Sequence, residues 1–235
     1  MTRNLVRTAK TFVNRVAVAL AAGLLVSACA TLPGFKHEPE TVYLLEWQDD
    51  FTPATATNTE PCGSLLIISP LGAPGYATTR MAYVEQDHRV DYFVTHRWAD
   101  TPARMLGPLM TRALGESGLF EAVVESPAPL QAQLRLESEV LKLRQVFLTR
   151  TSEIELNLRV NLYDLTQGRL LVGRVLNVVT PAESRNPYGG VNASHRAVER
   201  LFQQLADTLS AVLTENPAAC GAESRPVPEL TRNTR

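Results

Sequence analysis

The sequence predicts a single α+β domain in which a mostly antiparallel sheet packs against two main helices. Two patterns carry that prediction. Ile154, Leu156, Leu158, Val160 and Leu162 alternate without a break with Glu153, Glu155, Asn157, Arg159 and Asn161. One wet face and one buried face is the pattern of an antiparallel strand. Near the C-terminal end, Val198, Leu201, Phe202, Leu205, Leu209 and Val212 recur at helical spacing, the apolar stripe of a helix packed on a sheet. A chain of 235 residues, 45% apolar and 20% charged, has the composition of an ordinary globular protein rather than a disordered or fibrous one.

The elements follow in order along residues 41–215. Thr41–Trp47 (TVYLLEW) is β-branched and aromatic and reads as a first strand. Residues 49–61 form a polar loop. Leu65–Ile68 is a continuous apolar run that Pro70 ends, so it reads as a buried strand. Leu71–Tyr76 is loop. Met81–Val84 and Val90–Val94 form a hairpin around Gln86, Asp87 and His88. Thr101 is placed to cap a helix and Pro102 stands at its first position, where a missing N–H costs nothing. Met105, Leu106, Leu109, Met110, Ala113 and Leu114 continue it. Gly107-Pro108 is expected to kink this helix or delay its start, and Gly115 and Gly118 to end it. Trp98, just ahead, reads as packing the helix start on the sheet. Strands at Phe120–Val124, Leu134–Leu143, Ile154–Leu162 and Leu170–Val179 follow, the last two joined by the turn Asp164–Gly168. Residues 180–190 form a loop rich in Pro and Gly. The final helix runs from about Asn192 to Leu213. A membrane-surface role is the other reading of so amphipathic a helix. Its polar face holds Glu199, Arg200, Gln203, Gln204 and Asp207 rather than a basic row, which favours core packing. Residues 216–235 read as a disordered tail.

The N-terminus reads as an address. Arg3, Arg7, Lys10 and Arg15 precede the apolar run Val16–Val26. As a helix that run is about 16 Å long, against about 30 Å for a bilayer core. A basic region followed by a short apolar region is a secretory signal peptide, here residues 1–28. Val26-Ser27-Ala28-Cys29 resembles a bacterial lipobox, in which Cys29 takes a diacylglycerol on its thiol and its freed amine takes a further acyl chain of the palmitate kind. Ala30 rather than Asp after the cysteine resembles the pattern sorted to the outer membrane. Residues 29–40, with two prolines and a glycine, then form a tether to the domain. Residues 1–28 hold four basic and no acidic residues. The mature part has 19 basic against 24 acidic residues, a net charge of −5. Such a chain is held at a membrane by lipid rather than by a polybasic patch, and it offers no basic excess for nucleic acid.

Cys62 and Cys220 are the remaining cysteines. In an oxidising periplasm they are expected to pair; two free buried thiols are the alternative. No nucleophile elbow, phosphate loop, GxGxxG, HExxH or CxxC occurs. His37, His88, His96 and His195 are scattered, so neither a metal nor a cofactor is expected. Glu153 and Glu155 alternate on a strand and read as a solvated face. An enzyme is therefore disfavoured.

The block Met81–Val124 joins a tyrosine-bearing hairpin (Tyr83 to Phe93), Trp98-Ala99-Asp100 with Pro102, Met105-Leu106, and Gly118-Leu119-Phe120 before Val123. Together with Tyr43-Leu44-Leu45, the long alternating strands and the terminal helix, it resembles the ABC-type transport auxiliary lipoprotein family over about residues 41–213. One departure is Asp100, where the family usually has Glu. The resemblance implies a non-enzymatic accessory lipoprotein on the periplasmic face of the outer membrane. It would dock the periplasmic component of an MCE-type (mammalian cell entry) ABC system that moves phospholipid or another apolar cargo. An envelope-assembly or cell-wall-synthase accessory lipoprotein is the alternative function, and a homo-oligomer is compatible with either. The candidate partner surface is Tyr83, Tyr92 and Phe93 on the hairpin, since exposed aromatics anchor interfaces; a core role for the same three is the other reading.

Overall fold

The computed structural model describes residues 39–46, 60–129 and 131–221. The signal peptide, Cys29, His37, Trp47, most of the polar loop and residues 222–235 of the C-terminal tail lie outside them. The described residues from Glu40 onward form one compact unit. Among the described residues the order is β1 (Thr41–Tyr43), β2 (Cys62–Ile67), β3 (Leu71–Gly72), β4 (Arg80–Gln86), β5 (Arg89–Trp98), α1 (Pro102–Glu116), β6 (Phe120–Glu125), β7 (Leu134–Val146), β8 (Glu153–Asp164), β9 (Arg169–Pro181), α2 (Pro187–Glu215) and a 3₁₀ turn at Pro217–Cys220. This is the α+β fold expected: two helices on a large, open, mostly antiparallel sheet.

β7 is the strand on which the sheet is assembled. Along one edge it pairs antiparallel with β8 from Leu134–Asp164 to Val146–Glu153. Its other edge takes three parallel partners in succession. β2 lies against Leu134–Leu136, β3 against Glu139 and Val140, and β4 against Arg144–Val146. β6 adds parallel outside β2, β5 antiparallel outside β4, and β1 parallel outside β5. β9 adds antiparallel outside β8. The long ladders are antiparallel and the short ones parallel.

The alternation read from the sequence sets the faces. Leu134, Leu136 and Val140 of β7, with Ile154 to Leu162 of β8, point into the core with Leu106, Met110, Leu201, Phe202 and Leu205 of the helices. The other face carries ion pairs between Arg144 and Glu155 (2.7 Å) and between Arg135 and Glu137 (3.2 Å). Glu155 is thus part of a charged, half-exposed face, as expected. Trp98 is buried at 3% exposure, in the expected core position ahead of α1.

Several boundaries differ from expectation. α1 is continuous through Pro108. Pro108 is exposed, and so is Arg104, whose carbonyl the proline leaves without its helical partner. Thr101 caps the helix as expected, its Oγ1 accepting from Arg104 N–H. Gly115 lies inside α1, and the end falls at Ser117 and Gly118 (φ 71°). The loop at Leu71–Tyr76 contains β3, too short to have a sequence pattern. β1 ends at Tyr43. β9 extends to Pro181, and α2 starts at Pro187 instead of Asn192. Asn186 Oδ1 accepts from Gly189 N–H at 2.8 Å and so caps it, with Pro187 in the first turn. The tail's first residues are ordered: Pro217–Cys220 is the 3₁₀ turn, and Cys220 is disulfide-bonded to Cys62.

The β8–β9 turn is held by Asp164, which is fully buried. Its Oδ1 accepts from Thr166 N–H (2.9 Å), Thr166 Oγ1–H (2.6 Å) and Gln167 N–H (3.1 Å). Burial pushes its carboxyl up, but these bonds, with Arg169 nearby, outweigh it and hold the pKa below the usual value. A lowered folded pKa contributes stability that is fully present above the ordinary carboxylate value of about 4 and is lost as pH falls below it through the lowered folded value. Urea midpoints measured against pH should therefore fall on the acid side more steeply for the parent than for Asp164→Asn.

The disulfide joins residues 158 apart in sequence. In the chain-entropy treatment a loop of that size stabilises by up to about 5 kcal/mol. Cys220→Ser should lower the thermal midpoint, measured by circular dichroism, by at least about 5 °C. An unchanged midpoint would mean that the cross-link does not constrain the unfolded chain.

Candidate partner surface

Adjacent residues of a strand point to opposite faces, and this divides the three hairpin aromatics. Tyr83 of β4 and Phe93 of β5 meet with ring centroids 4.6 Å apart. Tyr92 faces the other way. Its hydroxyl donates to Gly75 O at 2.9 Å and the Arg80 guanidinium lies 3.8 Å over its ring. The expected trio is therefore a pair plus a separate residue that holds down the loop before β4. In that loop, burial pushes the Tyr76 hydroxyl above its ordinary pKa, against the opposing effect of Arg144.

Sequence reasoning missed the rings that complete the pair. Phe147, just after β7, lies 6.1 Å from Tyr83 and 6.4 Å from Phe93. His96 lies 6.2 Å from Phe93, and Tyr43 stacks on His96 at 5.9 Å. A chain of half-buried rings thus runs from β1 across β5 and β4 to the end of β7, in offset and edge-on contacts favourable for aromatics. Beside it β5 bulges away from β4 between Tyr92 and Arg97. A bulge re-aims side chains, and Val94 in this one is 90% exposed. Val42, Leu44, Leu148 and Tyr188 are further exposed apolar side chains on β1, the segments after β1 and β7, and the start of α2. Half-burial answers both readings of Tyr83 and Phe93: they brace one another and remain accessible at one edge.

A polar network fixes the far end of this ring chain. Gln145, 2% exposed, donates through Nε2 to Ser152 Oγ (3.0 Å) and Asn186 O (3.2 Å). Ser152 Oγ donates to Ser184 O (3.1 Å), and Ser184 Oγ donates to Asn186 Oδ1 (2.9 Å), the oxygen that caps α2. Arg185 donates to Phe147 O and Thr149 O, with its guanidinium 5.1 Å over the Phe147 ring. The end of β7, the loop after it and the start of α2 are thereby one unit.

The three described histidines do not converge. His88 is exposed in the hairpin turn (φ 64°), and His96 belongs to the ring chain. His195 Nε2 lies 3.1 Å from Leu44 O and donates to it. Among the described residues no group of three or more His, Cys, Asp or Glu is placed to hold a metal.

The family model for ABC-type transport auxiliary lipoprotein components matches residues 43–206. Among solved structures, a protein from Xanthomonas campestris is similar, with a TM-score of 0.64 and 18% identity, over 76% of this chain and 99% of that one. An uncharacterized protein gives a TM-score of 0.54 at 16% identity, over 73% and 99%. Both likenesses are of fold. No curated protein matches.

Gly190 is where the network tolerates no side chain, since a Cβ there would come 2.4 Å from Gln145 Oε1. Gly190→Ala should destabilise the fold by about 1–3 kcal/mol, read as a lower urea midpoint with an unchanged slope.

Proposed function

Because this chain belongs to the ABC-type transport auxiliary lipoprotein family, we propose that it is the outer-membrane accessory of an MCE-type ABC system for intermembrane lipid transport. The family match over residues 43–206 is the observation that carries the reading. In this proposal Cys29 bears the lipid anchor, residues 29–40 tether the domain to the periplasmic face, and the domain docks the periplasmic MCE protein. Its work is non-catalytic. An apolar cargo needs a sheltered route across water, since each exposed CH₂ costs about 0.8 kcal/mol. A tethered dock raises the concentration of the route's end at the receiving membrane.

Packing among the described residues supports docking rather than carrying. Sheet and helices are packed together by side chains, and the crevice beside Gln145 and Trp98 holds about 10 Å³, room for one water and not an acyl chain. The Tyr83–Phe93–Phe147 rings, with exposed Val94, are the surface proposed for the partner. Apolar and aromatic groups at an accessible edge are what a protein interface uses as anchors.

Purification of the full lipoprotein from detergent-solubilised envelopes should bring down an MCE protein with its permease and ATPase. Val94→Glu should abolish that recovery while leaving the thermal midpoint unchanged, because the side chain makes little contact within the fold. Recovery of outer-membrane assembly or cell-wall machinery without a transporter would replace this reading with the alternative function.

A further inference from the structure

Four strands have a single partner among the described residues, two-residue β3 on β7 being one of them. β9 pairs with β8 only, β6 with β2 only, and β1 with β5 only. β1 is three residues long. β9 is 13 residues long and exposes Leu170, Val175 and Val179 at 52%, 38% and 52%. A long edge with apolar side chains and unpaired backbone groups is a template for another strand.

Charge selects the occupant. β9 carries Arg169 and Arg174 and no acidic residue, whereas β6 (FEAVVE) carries Glu121 and Glu125 and no basic one. Arg169 is engaged by Asp164 at 3.7 Å, and Glu125 Oε1 accepts from Ser69 Oγ. Arg174 and Glu121 are exposed and have no ion-pair partner among the described residues. Register places both on the same face of the sheet. Arg174 pairs with Val160, a core residue, and so points to the helix side. Val123 pairs with Leu65, also a core residue, and Glu121, two residues earlier, shares its face. β6 and β9 both run parallel to β7, so a second copy shifted across the sheet would lay its β6 parallel to the first copy's β9.

We infer that the β9 edge of one copy takes the β6 edge of a second copy, extending the sheet from molecule to molecule with Arg174 facing Glu121. A two-fold contact of β9 with β9 is disfavoured, since it brings the Arg174 of both copies to one seam with no carboxylate free to pair with them. The contact is heterologous: each copy offers one edge and receives the other. It keeps the Glu40 end of every copy on the same side.

The test uses the full-length chain in detergent, with mass measured by light scattering across a concentration series. The parent should associate beyond the monomer, more weakly as salt rises. Arg174→Glu and Glu121→Arg should each weaken association by roughly tenfold, and the double exchange should restore it. Both side chains are exposed, and unchanged thermal midpoints will show that the variants fold. A parent that stays monomeric at the highest concentration reached overturns the inference. So does association that the double exchange fails to restore, since the copies would then meet through another surface.

Discussion

One strand has to satisfy two different edges at once. β7 gives its whole length to β8 on one side and divides the other among β2, β3 and β4. Strand pairing has a period of two, so a slip of one residue would invert every side chain. β7 therefore fixes the register of strands drawn from both halves of the chain. The irregularity between Val140 and Lys142 adds a residue on β7 and lets the core face resume at Leu143. Pairings this far apart in sequence close large loops and are entropically costly. The buried row of Leu, Ile and Val on β7 and β8, under Leu201, Phe202 and Leu205, offsets that cost through burial of apolar area.

The ends of this sheet are closed by polar devices, because apolar burial runs out there. At the β8–β9 turn, buried Asp164 turns three hydrogen bonds inward. At the end of β7, Gln145 ties the following loop to the cap of α2. At the start of β2, the disulfide to Cys220 pins the 3₁₀ turn that follows α2. A polar group without a partner is costly in a dry interior. These closures accordingly tolerate less change than the leucines around them: Leu may become Ile or Met at modest cost, whereas a truncated Gln145 leaves Ser152 and the carbonyl of Asn186 without their donor.

How much of this was legible in the sequence depended on how far the pattern extended. β7, β8 and the body of α2 announce themselves through long runs of period 2 and period 3.6. Two-residue β3 has no period to read. Pro108 misleads because sequence spacing identifies the residue but not the consequence of its facing solvent, and the true start of α2 was masked by Pro187, Gly189 and Gly190, residues that ordinarily mark loops. The disulfide followed from cysteine arithmetic. The hairpin aromatics were legible as residues and not as a surface. Period 2 already separates Tyr92 from Phe93, but only the tertiary register brings Phe147 to Tyr83 and His96 to Phe93. Gln145 carried no usable signal, since a polar residue beside the alternating end of a strand reads as exposed.

A core so committed to packing leaves recognition to the periphery, and the periphery here is of two unlike kinds. The ring chain is a set of side chains that brace one another, so its chemistry can vary with a partner while the backbone beneath stays the same. The open edges of β6 and β9 are backbone, and backbone hydrogen bonding does not depend on which apolar side chain is present. Charge is then the means by which an edge distinguishes its occupant from any other strand. An arginine on one edge and a glutamate on the other, both outside the core and both on the helix-facing side, contribute little to the stability of the single chain. Their positions are therefore open to selection for what the edges meet, whereas Leu134 or Phe202 is held in place by the fold itself.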